Sequence, residues 1–144
     1  MLENVVVSEW MSKPVITVEP GTPLKTAHQV MKECRIRRLP VVKDGHLVGI
    51  ITSGDLREAS PSDATSLSVW ELNYLWDQLT VEHSMTRNPV TVSPETTILE
   101  AARLMLEKKI SGMPVIDDAG RVVGILTESD IFKMLVESRV PDVH

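Results

Sequence analysis

Val123-Gly124-Ile125-Leu126-Thr127-Glu128-Ser129-Asp130 has an earlier near-copy in the same chain, Val48-Gly49-Ile50-Ile51-Thr52-Ser53-Gly54-Asp55. Each is an aliphatic run broken by one glycine and closed by Thr-x-x-Asp. That pattern reads as a strand running into the start of a helix. Working outward, Gly45 matches Gly120 in the same register, offset by 75. Upstream of Ala119, which one copy lacks, the offset becomes 74 and the match continues: Pro40-Val41 with Pro114-Val115, Ile36 with Ile110, Met31 with Met105, Ala27 with Ala101, Thr17-Val18 with Thr91-Val92, and Met11 with Met85. One indel in so long a match identifies two copies of one unit, each expected to complete its core against the other.

Each copy reads as β-α-β-β-α. Val15–Val18 and Val90–Val92 are the leading extended segments. A helix is expected from Thr22 and from Thr96, with Thr as N-cap and, in the first copy, Pro23 at the first helical position. Its apolar stripe is Leu24, Ala27, Val30, Met31 and Cys34 in one copy, and Ile98, Ala101, Ala102, Met105 and Leu106 in the other. A hairpin follows around Asp44-Gly45, or around Asp118-Ala119-Gly120, where positive φ is tolerated. The fold class expected is α/β (α+β). The spans are residues 1–58, a linker at 59–78, and 79–144. The linker opens on the turn-forming Ser60-Pro61-Ser62-Asp63. It continues as an amphipathic helix over Ser68–Leu79, with Val69, Leu72, Leu75, Trp76 and Leu79 on one face and Trp70 and Tyr74 off it. That helix covers the seam of the repeats or offers a partner surface.

The repeated Thr-x-x-Asp admits two readings. One is a capping box, in which the hydroxyl and the carboxylate satisfy helix-start amides reciprocally. The other is a ribose clamp, because an ionised carboxylate is acceptor-only and suits the two O–H donors of a cis-diol. Arg35, Arg37 and Arg38, like Lys108-Lys109, follow the first helix of each copy. There they complement the helix dipole or meet ligand phosphate.

Composition excludes several classes. At 42% apolar and 24% charged residues the chain is globular, and with 3% aromatics its interior must be aliphatic. Residues 1–58 hold eight Lys/Arg against seven Asp/Glu, and residues 59–144 hold seven against thirteen. The pI of 5.3 argues against general nucleic-acid binding. The N-terminal residues lack a signal-peptide pattern and no apolar run reaches membrane length, so a cytoplasmic protein is expected. Cys34 is read as a small buried hydrophobe in a reducing compartment. His28, His46, His83 and His144 lack metal-ligand spacing, and no P-loop, nucleophile elbow or catalytic carboxylate pair occurs. No catalytic or metal-binding residue is assigned.

Three motifs of the second copy carry a resemblance: Met85-Thr86-Arg87-Asn88-Pro89-Val90-Thr91-Val92, Ser111-Gly112-Met113-Pro114-Val115-Ile116-Asp117, and Val123–Asp130. With their first-copy counterparts they resemble CBS domains, and the pair resembles a Bateman module, over residues 5–58 and 79–137. The small stand-alone bacterial CBS-pair proteins, including those of acetoin utilisation, are similar. The resemblance implies two subdomains about a pseudo-twofold axis, a disc-like homodimer, and a cleft for AMP, ADP, ATP or S-adenosylmethionine, with no required cofactor. It implies ligand contacts from Pro89, Val90, Thr91, Lys109, Ser111, Gly112, Met113, Pro114, Thr127 and Asp130. In the first copy it implies contacts from Val15, Ile16, Thr17, Arg37, Arg38, Leu39, Pro40, Thr52 and Asp55. Asp130 would hold ribose, Thr127 ribose or phosphate, and the backbone the base. The first copy departs at Arg38 for Gly112 and at Gly54 for Ser129. The function expected is sensing of energy state or a metabolite, passed in trans to an unidentified protein. The alternative is an assembly module with empty pockets; enzyme activity has no motif behind it.

Overall fold

The structure is a computed structural model that describes residues 4–59 and 68–137. The Ser60-Pro61-Ser62-Asp63 turn, His144 and the side chains of Val69 and Leu72 lie outside the described residues. Helices and small antiparallel sheets fall into two compact units that do not follow the repeat boundaries. The inner unit is Ile16–Pro89; the outer unit joins Met1–Val15 to Val90–His144.

In the inner unit the elements are α1 (Leu24–Cys34), β1 (Arg38–Lys43), β2 (His46–Thr52), α2 (Ser53–Ala59), α3 (Val69–Gln78), α4 (Val81–Ser84) and β3 (Thr86–Arg87). The sheet order is β1-β2-β3, antiparallel throughout. Asp44 and Gly45 turn the hairpin with φ of 52° and 82°, the doubly left-handed turn that Asp-Gly favours. The outer unit has a 3-10 turn at Val7–Glu9, then α5 (Ile98–Lys108), β4 (Gly112–Ile116), β5 (Val122–Thr127) and α6 (Glu128–Glu137). β4 pairs antiparallel with β5.

The two cores repeat position by position. Val18, Leu24, Ala27, Met31, Leu39, Val41 and Ile51 are buried in one. Val92, Ile98, Ala101, Met105, Met113, Val115 and Leu126 are buried in the other. Each core is completed by a valine from the segment leading the opposite copy: Val81 in the inner unit and Val7 in the outer, both fully buried. Behind these valines, Met85 and Met11 press on Gly49 and Gly124. A Cβ on Gly49 would lie 2.8 Å from both Met85 Sδ and the Thr86 carbonyl; on Gly124 it would lie 2.5 Å from Met11 Sδ. The glycine in each Val-Gly-Ile therefore makes room for a methionine.

Several expectations need correction. Thr22 and Thr96 are not N-caps; their hydroxyls accept from the Glu19 and Ser93 amides, closing a turn before the helix. The caps are one residue later, at Pro23 and Thr97, and Thr97 Oγ1 accepts from Glu100 N. The leading extended segments shrink to single parallel bridges, Val18 to Val41 and Val92 to Val115. Pro14, Pro20, Pro89 and Pro94 bracket them and have no N–H to extend a ladder. Cys34 is exposed rather than buried, and Leu106 is 80% exposed, because the apolar stripe outruns the core in the last helical turn. α3 ends at Gln78, not Leu79. Ser68 and Glu71 cap it reciprocally, and these bonds hold the Glu71 carboxyl below its ordinary pKa. Trp76 and Leu79 pack on the inner core, Leu75 is exposed, and Trp70 and Tyr74 face solvent. Among the described residues no helix is long and apolar enough to cross a membrane.

Candidate ligand-binding site

In each unit the hairpin joins the start of the second strand's helix to the start of the first strand. Arg38 pairs with Thr52 across β1 and β2, and Gly112 with Thr127 across β4 and β5. The junction is pinned by Ser53 N donating to the Arg37 carbonyl at 2.8 Å and by Glu128 N donating to the Ser111 carbonyl at 3.0 Å. Asp55 and Asp130 then stand one turn into α2 and α6.

Both carboxylates form the capping box. Thr52 N donates to Asp55 Oδ2 at 2.9 Å, and Asp55 N donates to Thr52 Oγ1 at 3.1 Å. Thr127 N donates to Asp130 Oδ2 at 2.9 Å, the Thr127 hydroxyl donates to the same oxygen at 3.2 Å, and Asp130 N reaches Thr127 Oγ1 at 3.4 Å. All four residues are half-buried, so their outer faces still meet solvent.

The bridges Val18–Val41 and Val92–Val115 tie the segments that hold Ile16, Thr17, Val90 and Thr91 to β1 and β4. Leu39, Pro40, Met113 and Pro114 are fully buried, and the Pro40 and Pro114 carbonyls accept from Val18 N and Val92 N. Ile16 is exposed at 37%, a ready apolar cover. The chain passes between units at Val15/Ile16 and again at Pro89/Val90. Val15 thus counts with the outer unit and Pro89 with the inner. Arg37, Lys109 and Ser111 are exposed, and Arg38 is half-buried. Arg35 and Lys109 cap α1 and α5 in the left-handed conformation, φ 57° each, so the helix-end reading accounts for their backbones. Among the described residues no three His, Cys, Asp or Glu gather as a metal site.

One contact escaped the sequence reading. Ser12 Oγ donates to Asp130 Oδ1 at 3.0 Å, across 118 residues of chain. The signal was the match of Met11-Ser12 with Met85-Thr86, two hydroxyl residues in one register.

The CBS domain model matches residues 7–62 and 80–137. A CBS domain-containing protein of Dictyostelium discoideum is 36% identical over 139 residues, covering 96% of each chain. The CBS domain pair of protein MJ0100, solved in complex with 5′-methylthioadenosine and S-adenosyl-L-methionine, superposes with a TM-score of 0.77. It is 34% identical and covers 94% of this chain and 98% of that one. CBSX2 in complex with AMP superposes with a TM-score of 0.78 at 28% identity, covering 93% and 98%. Other relatives are longer. The chain spans 47% of protein MJ1225 of Methanocaldococcus jannaschii at 33% identity, and 22% of an inosine-5′-monophosphate dehydrogenase of Korarchaeum cryptofilum at 34%. The pair thus recurs both alone and as part of longer proteins, an enzyme among them. With a match on both repeats and a relative alike along its whole length, the chain belongs to the CBS domain family and carries a pair of its domains.

Proposed function

We propose that this pair is a cytoplasmic sensor that binds an adenosyl ligand, AMP, ADP, ATP or S-adenosylmethionine, and passes its occupancy to a partner protein in trans. The carrying observation is a carboxylate repeated in register at a strand-to-helix junction, Asp55 and Asp130, each half-exposed beside a threonine. The ligands of the similar MJ0100 and CBSX2 pairs support it. In this reading Asp130 and Asp55 accept ribose hydroxyls, Thr127 and Thr52 stand beside ribose or phosphate, and the accessible segments Ile16-Thr17 and Val90-Thr91 meet the base. The arginines at 37 and 38 give the inner site a phosphate preference that Ser111 and Gly112 do not.

The capping boxes favour a second reading, in which the carboxylates are structural and the pair serves assembly. One variant separates the two. Asp130→Ala is expected to lose about ten- to hundredfold in affinity for AMP, the worth of charge-assisted bonds of roughly 1.5–3 kcal/mol. Loss of the cap lowers apo stability by about 0.5–2 kcal/mol. Calorimetric titration and apo melting are read on the same preparation. Unchanged AMP affinity with lowered stability overturns the clamp and leaves the cap.

The working unit we propose is a homodimer, with a second copy covering α5 and α6. Leu106, Phe132, Leu135 and Val136 are exposed there, where the inner unit has Lys32 and Arg57. Glu107, Lys108, Lys133 and Glu137 put both signs around the apolar patch, as a self-complementary twofold contact requires. Light scattering should return about twice the 16.0 kDa of one chain. A monomer at micromolar concentration overturns the dimer and leaves ligand binding standing.

A further inference from the structure

Asp130 is already engaged on both oxygens. Oδ2 accepts from Thr127 N and Thr127 Oγ1, and Oδ1 accepts from Ser12 Oγ. A carboxylate offers about four lone-pair sites, so three donors leave one open. A ribose cis-diol brings two O–H donors and cannot seat both without displacing one. Thr127 N is backbone at a helix start and cannot leave. The Thr127 hydroxyl stays close to Asp130 through its second bond, from Asp130 N.

Ser12 is the donor free to go. Its backbone is tied to Ile125 in both directions, N to O at 2.8 Å and O to N at 3.1 Å, and the preceding Met11 sits on Gly124. The segment therefore stays while the exposed Ser12 side chain turns about a single bond. We infer that Ser12 is an affinity-setting residue of the outer site: its hydroxyl occupies the place on Asp130 Oδ1 that a ribose hydroxyl takes, and binding exchanges one for the other. The inference rests on the ribose-clamp reading of Asp130. It makes the outer site depend on a residue 118 positions earlier in the chain. Thr86, which pairs with Ile50 as Ser12 does with Ile125, holds the same register in the inner unit.

The test compares adenosine with 2′-deoxyadenosine by titration calorimetry on wild type, Ser12→Ala, Ser12→Thr and Asp130→Ala. Removing the competing hydroxyl should tighten adenosine binding about three- to tenfold, the range of one net hydrogen bond. 2′-Deoxyadenosine presents one ring hydroxyl, which the open lone pair accommodates, so its affinity should not change. Ser12→Thr keeps the hydroxyl and the wild-type affinity. Equal or weaker adenosine binding by Ser12→Ala, or the same gain for both nucleosides, overturns the inference while Asp130→Ala still reports the clamp. If Asp130→Ala binds adenosine as wild type does, the clamp falls and the inference falls with it.

Discussion

The inner unit is one continuous stretch of chain, whereas the outer unit is assembled from two pieces that precede and follow it in sequence. Their cores are otherwise near-copies, so the contrast isolates what a leading segment contributes. Val81, Met85 and Thr86 close the inner unit from behind; Val7, Met11 and Ser12 close the outer one from in front. The segment that begins each sequence repeat thus serves the other repeat. A sequence repeat and a folding unit are different objects in this molecule.

The largest expected effect comes from breaking that arrangement. Deleting residues 1–11 removes Val5, Val7, Trp10 and Met11 from the outer core. Hydrogen exchange should show protection lost across 90–137 and retained across 16–59, although the deletion lies beside the first repeat. Loss confined to 16–59 would instead tie the segment to its sequence neighbours.

A second comparison sets the two glycines against each other. Ala at Gly49 meets the Thr86 carbonyl as well as Met85, and backbone paired in a sheet cannot step aside. The three atoms nearest an Ala at Gly124 all belong to the flexible Met11 side chain. Overpacking costs about 1–3 kcal/mol. Gly49→Ala should fall at the upper end and Gly124→Ala at the lower, read from urea midpoints. The reverse order would mean that the methionine, not the strand, is the rigid neighbour.

The smallest effect is confined to the inner unit. The Glu71 carboxyl is held low by the Ser68 amide and hydroxyl, so its ionised form favours the folded cap. A depressed folded value means that this contribution is complete above pH 4.5, the ordinary value, and is lost as pH falls through the folded one. The Ser68 amide resonance should titrate below pH 4.5, and Glu71→Gln should abolish the titration. A midpoint at or above 4.5 removes the cap from the account.

What the sequence could disclose follows from the range of its signals. Helix stripes, the Asp44-Gly45 turn and the Thr-x-x-Asp boxes are local, and the structure has them within a residue. The partner of Val7 is not local: an apolar residue advertises that it will be buried, not which copy will bury it. For the same reason the match of Ser12 with Thr86 marked a shared role without naming Asp130, more than a hundred residues on. Cys34 and Leu106 misled in the opposite sense, since periodicity continues to the helix end while the core stops a turn short. At the site, local spacing gave the cap but could not separate it from a clamp, because both need the same two side chains.

The split outer unit also gives the two halves different histories during synthesis. Everything the inner unit needs has emerged once Pro89 has left the ribosome. Val7 and Met11, though made earlier, meet their partners only among residues 92–134. At about 5–20 residues per second, that leaves an apolar stretch waiting on the order of seconds after the last residue of the inner unit has been made. Val7 and Met11 are therefore made before the inner unit and find their place after it.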